Sequence, residues 1–253
     1  MTQSSSSALT AQKPHVDARD RLIVALDLPD VPTARRLVDE LGDTVTFYKV
    51  GLSLQLAAGV NDFIDDLIRG GKKVFLDYKY YDIPETIAKA VGRAAKLGVS
   101  FLTIHGSSAI IRSAVQAKGD SDLKLFTVTV LTSMDVDDIR EMGYTNSTVE
   151  DLVLCRSRMA LDAGCDGVIS SGREVEKIKL QTKGKLLVVT PGIRPAGSGT
   201  DDQKRIATPG QAIGAGADYL VIGRPVTQPV DGAPKQAAQA IVNEMQAAFD
   251  AQH

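Results

Sequence analysis

The chain has 253 residues, 43% of them apolar and 24% charged, with a formal net charge of -2. That length buries a large core without metals or disulfides. The near-neutral balance excludes the basic footprint of a nucleic-acid binder, and no apolar run approaches the ~20 residues of a membrane span.

Residues 1–18 are Ser-rich and polar and lack the apolar centre of a secretory signal, so they read as a disordered tail before a single domain over 19–253. Beyond the tail one unit recurs: a short apolar run, a helical stretch, a glycine, then the next apolar run. The apolar runs are Leu22–Leu26, Val45–Val50, Val74–Leu76, Phe101–Ile104, Leu125–Leu131, Val168–Ile169, Leu186–Val189 and Tyr219–Ile222. They are short and rich in Val, Ile, Leu and Phe, as strands covered on both faces are. Helices are expected over 32–41, 53–69, 84–97, 108–118, 148–163, 173–181, 209–215 and 234–248. Gly42, Gly70, Gly98, Gly164 and Gly216 fall where a C-cap favours positive φ. Ser147 with Glu150 fits a capping box, and Thr208-Pro209 fits an N-cap followed by a first-turn proline. Cys155 and Cys165 lack Cys-x-x-Cys spacing and read as reduced, buried thiols in a cytoplasmic protein.

Eight strands alternating with eight helices, with no linker or composition break, predict an α/β fold: a single-domain (β/α)₈ (TIM) barrel. An open doubly wound sheet is the alternative. It usually carries a Gly-rich turn after strand 1, where this chain reads Leu26-Asp27-Leu28-Pro29-Asp30.

Barrel active sites lie at the C-terminal ends of the strands. Those positions hold Asp27, Lys49, Asp77, Lys79, His105, Thr132, Ser133, Ser170, Ser171, Pro191-Gly192-Ile193-Arg194 and Gly223-Arg224. Residues i and i+2 of a strand share a face, so Asp77 and Lys79 point the same way, with Lys49 on the next strand able to approach. Each opposite pair at ~4 Å and an effective dielectric of about 20 is worth about 4 kcal/mol, which makes burial of the cluster tolerable. Plainer roles stay open: a rim salt bridge for Asp77 and Lys79, a snorkelling stem for Lys49, an N-cap for Asp82, a hydrogen-bonded barrel residue for His105. The segment Arg194 to Arg205, with two glycines and a proline, reads as a long lid loop after strand 7. Gly223-Arg224 after strand 8 suits a phosphate: glycine admits backbone donors, and arginine forks onto two oxygens.

The segment Asp77-x-Lys79-x-x-Asp82-Ile83-Pro84, preceded by Tyr48-Lys49-Val50-Gly51, resembles the orotidine 5′-monophosphate decarboxylase family. Leu131-Thr132-Ser133, Pro191-Gly192-Ile193-Arg194, Asp202-Gln203-Lys204-Arg205 and Ile222-Gly223-Arg224-Pro225 are similar to its bacterial form, from Arg21 to about Thr227. The resemblance implies a cytoplasmic enzyme of pyrimidine biosynthesis that binds a nucleotide and needs neither metal nor organic cofactor. It implies a homodimer in which Asp82 and Thr86 reach the neighbouring site. Lys79 would protonate C6 of the pyrimidine, Asp77 would lie beside the substrate carboxylate, and Lys49 and Asp27 would hold the ribose. Thr132 and Ser133 would contact the ring, and Arg194, Gln203, Gly223 and Arg224 the 5′-phosphate. Rival readings are a Mg²⁺-dependent sugar-phosphate decarboxylase or aldolase, for which an acidic residue is expected near Lys49; a Schiff-base aldolase using Lys79; and a non-catalytic phosphate-ligand binder.

Overall fold

The computed structural model describes residues 17–195 and 207–251. Eight parallel strands close into a barrel in chain order: β1 Leu22–Ala25, β2 Phe47–Gly51, β3 Lys73–Tyr80, β4 Phe101–Ile104, β5 Lys124–Val128, β6 Gly167–Ile169, β7 Leu187–Thr190 and β8 Tyr219–Ile222. β8 returns to β1, with Val24 opposite Ile222. The helices are α1 Val31–Leu41, α2 Leu52–Gln55, α3 Val60–Arg69, α4 Pro84–Leu97, α5 Ser108–Lys118, α6 Val136–Glu141, α7 Val149–Asp162, α8 Val175–Thr182, α9 Pro209–Gly214, α10 Arg224–Thr227 and α11 Pro234–Asp250.

Strand alternation builds two cores. Leu22 and Val24 face outward into the layer between strands and helices, while Ile23 and Ala25 face the barrel axis. The axial core is aromatic: Phe101 lies 4.8 Å from Phe47, 4.6 Å from Phe126 and 4.9 Å from Tyr219 between ring centroids. Gly167 is required beside this plug, because a Cβ there would sit 2.5 Å from the Phe126 ring and 2.4 Å from the Leu187 carbonyl. The plug fills the base of the barrel and leaves the mouth open.

Several expectations need correction. The expected helix over 53–69 is two: α2 ends at Gln55 with Leu56 as its C-cap, and α3 starts after Gly59, its N-cap at φ 78°. A helix not expected from the sequence, α6, follows β5 behind an Asp135/Asp138 capping box. The box at the start of α7 uses Thr148 and Asp151, one residue later than Ser147 and Glu150. Gly71, not Gly70, takes the positive φ after α3. The tail was expected to reach residue 18, yet Ala18 is fully buried and its N–H donates to Gln246 Oε1 at 3.0 Å, while Asp17 N-caps the first turn. Residues 1–16 and most of the expected lid, 196–206, lie outside the described residues. Cys165 is buried as expected, whereas Cys155 is exposed. No helix among the described residues is long and apolar enough to cross a membrane.

Candidate active site

The ends of the strands surround a cavity of about 450 Å³, within the usual range for a small-molecule site. Its floor is apolar, formed by Ala25, Phe75, Val128, Ile169 and Val221. On the β1–β3 side stand Asp27, Lys49, Asp77 and Lys79; on the β7–β8 side stand Arg194, Gly223, Arg224, Thr227 and Gln228.

The charged array is continuous. Lys49 Nζ donates to Asp27 Oδ1 at 2.9 Å and Oδ2 at 3.2 Å, and lies 3.5 Å from Asp77 Oδ2. Lys79 Nζ donates to the other Asp77 oxygen at 2.9 Å. Asp77 is thus held between two ammonium groups. Burial pushes its carboxyl upward, but Lys49 and Lys79, with hydrogen bonds from Lys79 and Thr103, outweigh that and hold it below the usual carboxylate range. The Lys49 side chain is 9% exposed, which rules out a snorkelling stem, and the Lys79 side chain, at 33%, is the more open of the two.

Asp77 and Lys79 do face one cavity, but not by plain alternation. The register against β4 shifts between Leu76 and Tyr80, and Lys79 sits at φ 49°. A bulge therefore aims the lysine.

The crowding reaches Gly51. A Cβ there would stand 2.9 Å from both Asp27 Oδ1 and Lys49 Nζ. At φ -109° the backbone suits any residue, so the constraint is space alone.

The sequence model described as the orotidine 5'-phosphate decarboxylase / HUMPS family matches residues 20–241. The chain belongs to this family. An orotidine 5'-phosphate decarboxylase from Nitrobacter winogradskyi is 56% identical over 228 residues, 90% of this chain and 93% of that protein. One from Methylococcus capsulatus is 46% identical, over 93% of this chain and 96% of that one. The crystal structure of orotidine 5'-phosphate decarboxylase from Lactobacillus acidophilus superposes with a TM-score of 0.77 at 38% identity, covering 89% of this chain and 98% of that one.

Of the residues singled out by resemblance to the orotidine 5'-phosphate decarboxylase family, Asp27, Lys49, Asp77, Lys79, Thr132, Arg194, Gly223 and Arg224 line the cavity. Ser133 is exposed and is not among the lining residues, because β5 ends at Val128 and the following loop turns Thr132 inward instead. Asp82 and Thr86 are also exposed, away from this chain's own cavity. Asp82 does not N-cap α4: the cap position is Ile83, and the Asp82 carboxylate accepts the Ile83 N–H at 2.6 Å. Gln203 lies outside the described residues. His105 is half-buried and does not line the cavity. It hydrogen-bonds the Val128 backbone, its Nδ1 has no partner among the described residues, and its ring lies tilted at 57° to Tyr81 with centroids 5.5 Å apart. Thr103, inside an apolar strand, was not singled out, yet it touches both Asp77 and Lys79. Thr227 and Gln228 were missed because they are the last residue and the C-cap of α10, a single turn with no periodicity to read.

Proposed function

We propose that this chain decarboxylates orotidine 5′-monophosphate to uridine 5′-monophosphate and carbon dioxide in pyrimidine biosynthesis, with Lys79 as the proton donor to C6. The observation that carries the reading is one ammonium, on a bulge and tied to Asp77, facing a cavity whose opposite wall holds two arginines.

The bond from C6 to the carboxylate carbon breaks, and its electron pair stays on C6 in an orbital the ring delocalises poorly. A fixed cation stabilises that charge as it forms, with no reorganisation during the step. Lys79 then gives C6 a proton and recovers one from solvent, to which its side chain is open. Asp77 holds the ammonium in place and lies beside the departing carboxylate. Asp27 and Lys49 take the ribose hydroxyls, Thr132 with Ser133 the ring, and Arg194, Gln203, Gly223 and Arg224 the phosphate. The chemistry uses no metal and no organic cofactor.

The enzyme works in the cytoplasm as a homodimer. Asp82 and Thr86 stand on an exposed segment with Tyr81 and Ile83, large apolar residues 70% and 64% exposed. Covering them with a second copy buries the apolar surface and brings Asp82 and Thr86 to the neighbour's cavity.

The test is purified protein with orotidine 5′-monophosphate and no added metal. A steady fall in pyrimidine absorbance is expected, and its absence overturns the reading. Mixing two inactive variants, Lys79→Ala and Asp82→Ala, restores activity if the site is shared across the dimer. Failure to restore it refutes the shared site.

A further inference from the structure

Lys79 is one of two non-glycine residues with positive φ among the described residues. A lysine holds that conformation only when its surroundings fix it. What fixes it is a single atom on the next strand. Thr103 Oγ1 accepts the Lys79 N–H at 2.9 Å. The same oxygen lies 3.0 Å from Asp77 Oδ1 and 3.5 Å from the Leu76 carbonyl. A hydroxyl has one proton, and it goes to the nearer, charged acceptor. Thr103 is fully buried, so no exchange with bulk water competes.

We propose that Thr103 is a positioning residue for the decarboxylation: its hydroxyl joins the Lys79 backbone to the Asp77 carboxylate and so sets how the ammonium and the carboxylate face C6. It does not line the cavity, so it acts through these two neighbours. Around Asp77 the charged groups are Lys49 from β2 and Lys79 from its own strand, with Asp27 beyond Lys49. β4 brings only the neutral hydroxyl to that carboxylate. The inference rests on the assignment of Lys79 and Asp77 to the reaction; protein without turnover fails that assignment, whereas the exchange measurement below reads Thr103 independently of activity.

Thr103→Val keeps the shape and removes both hydrogen bonds, while Thr103→Ser keeps the hydroxyl. Thr103→Val is expected to lower kcat by about 10- to 100-fold while KM and the affinity for uridine 5′-monophosphate stay within about 3-fold. It is also expected to move the acid limb of kcat/KM to higher pH and to speed amide hydrogen exchange at Lys79, followed by NMR on the full chain. Thr103→Ser is expected to restore all of these. The proposal is overturned by a Val variant with unchanged kcat and unchanged exchange at Lys79, or by a Ser variant as impaired as Val. Should Thr103→Val fail to fold, Thr103→Ala replaces it beside Thr103→Ser, and equal kcat and exchange in those two overturns it as well.

Discussion

The base and the mouth of the barrel both carry half-buried Lys/Asp pairs, and they differ in what their hydrogen bonds reach. At the base, Lys118 Nζ bonds Asp166 at 2.7 Å and the Leu123 carbonyl at 3.0 Å, and Asp166 accepts the Leu125 N–H at 2.8 Å. Two strands further on the pattern repeats: Lys179 bonds Asp218 at 2.5 Å and the Leu186 carbonyl at 2.9 Å, and Asp218 accepts the Val188 N–H at 2.7 Å. At the mouth, Lys49 and Lys79 bond carboxylates rather than backbone. Burial does not separate the two regions: the Asp166 side chain is 21% exposed and that of Asp77 16%. The separating feature is whether the ammonium protons are committed to backbone carbonyls. Where they are, the pair ties strands together; where they are not, the pair can turn toward a ligand.

The largest effect is expected at the mouth, where Lys79→Ala should cost about 10³-fold or more in kcat. Its melting temperature should stay near that of the parent; near-normal turnover would refute the assignment. Arg224→Ala should lower kcat/KM by about 10²-fold, with kcat falling as well as KM rising, if the proposed phosphate contact also positions the ring. A change in KM alone would confine Arg224 to ground-state binding. At the base, Asp218→Ala should lose about 2 kcal/mol of unfolding free energy, read by urea titration, while kcat per folded molecule is unchanged. A large kcat loss there would mean that the basal pairs also shape the site. Gly51→Ala sharpens the contrast between base and mouth: the added methyl meets Lys49 and Asp27 without straining the backbone, so kcat/KM should fall about tenfold at unaltered stability. The smallest effect is a pH slope. Burial, then the nearby Arg156 charge, hold the His105 pKa below its ordinary value, against a hydrogen bond to the Val128 backbone. The unfolded chain therefore takes up its proton first, and stability declines as pH falls below about 6.5 until the folded pKa is reached. His105→Asn should flatten that part of the urea-midpoint profile.

The barrel was legible because each strand is a short run of Val, Ile, Leu and Phe and most helices end at a glycine. The charged array was legible because its four members fall in or just past three consecutive apolar runs, where few charged residues are expected. What stayed hidden depends on contacts between strands. The bulge at Lys79 is held by Thr103, which in sequence is one polar residue in an apolar run. Asp82 fits a cap by spacing, yet its carboxylate takes the adjacent Ile83 N–H instead. The overlap of Ser147-x-x-Glu150 with Thr148-x-x-Asp151 offers two registers for one helix start, and the fold uses the second.

The aromatic plug makes the cavity a blind well. Nothing entering the mouth can leave below Phe75 and its neighbours, so reactant and both products use one doorway.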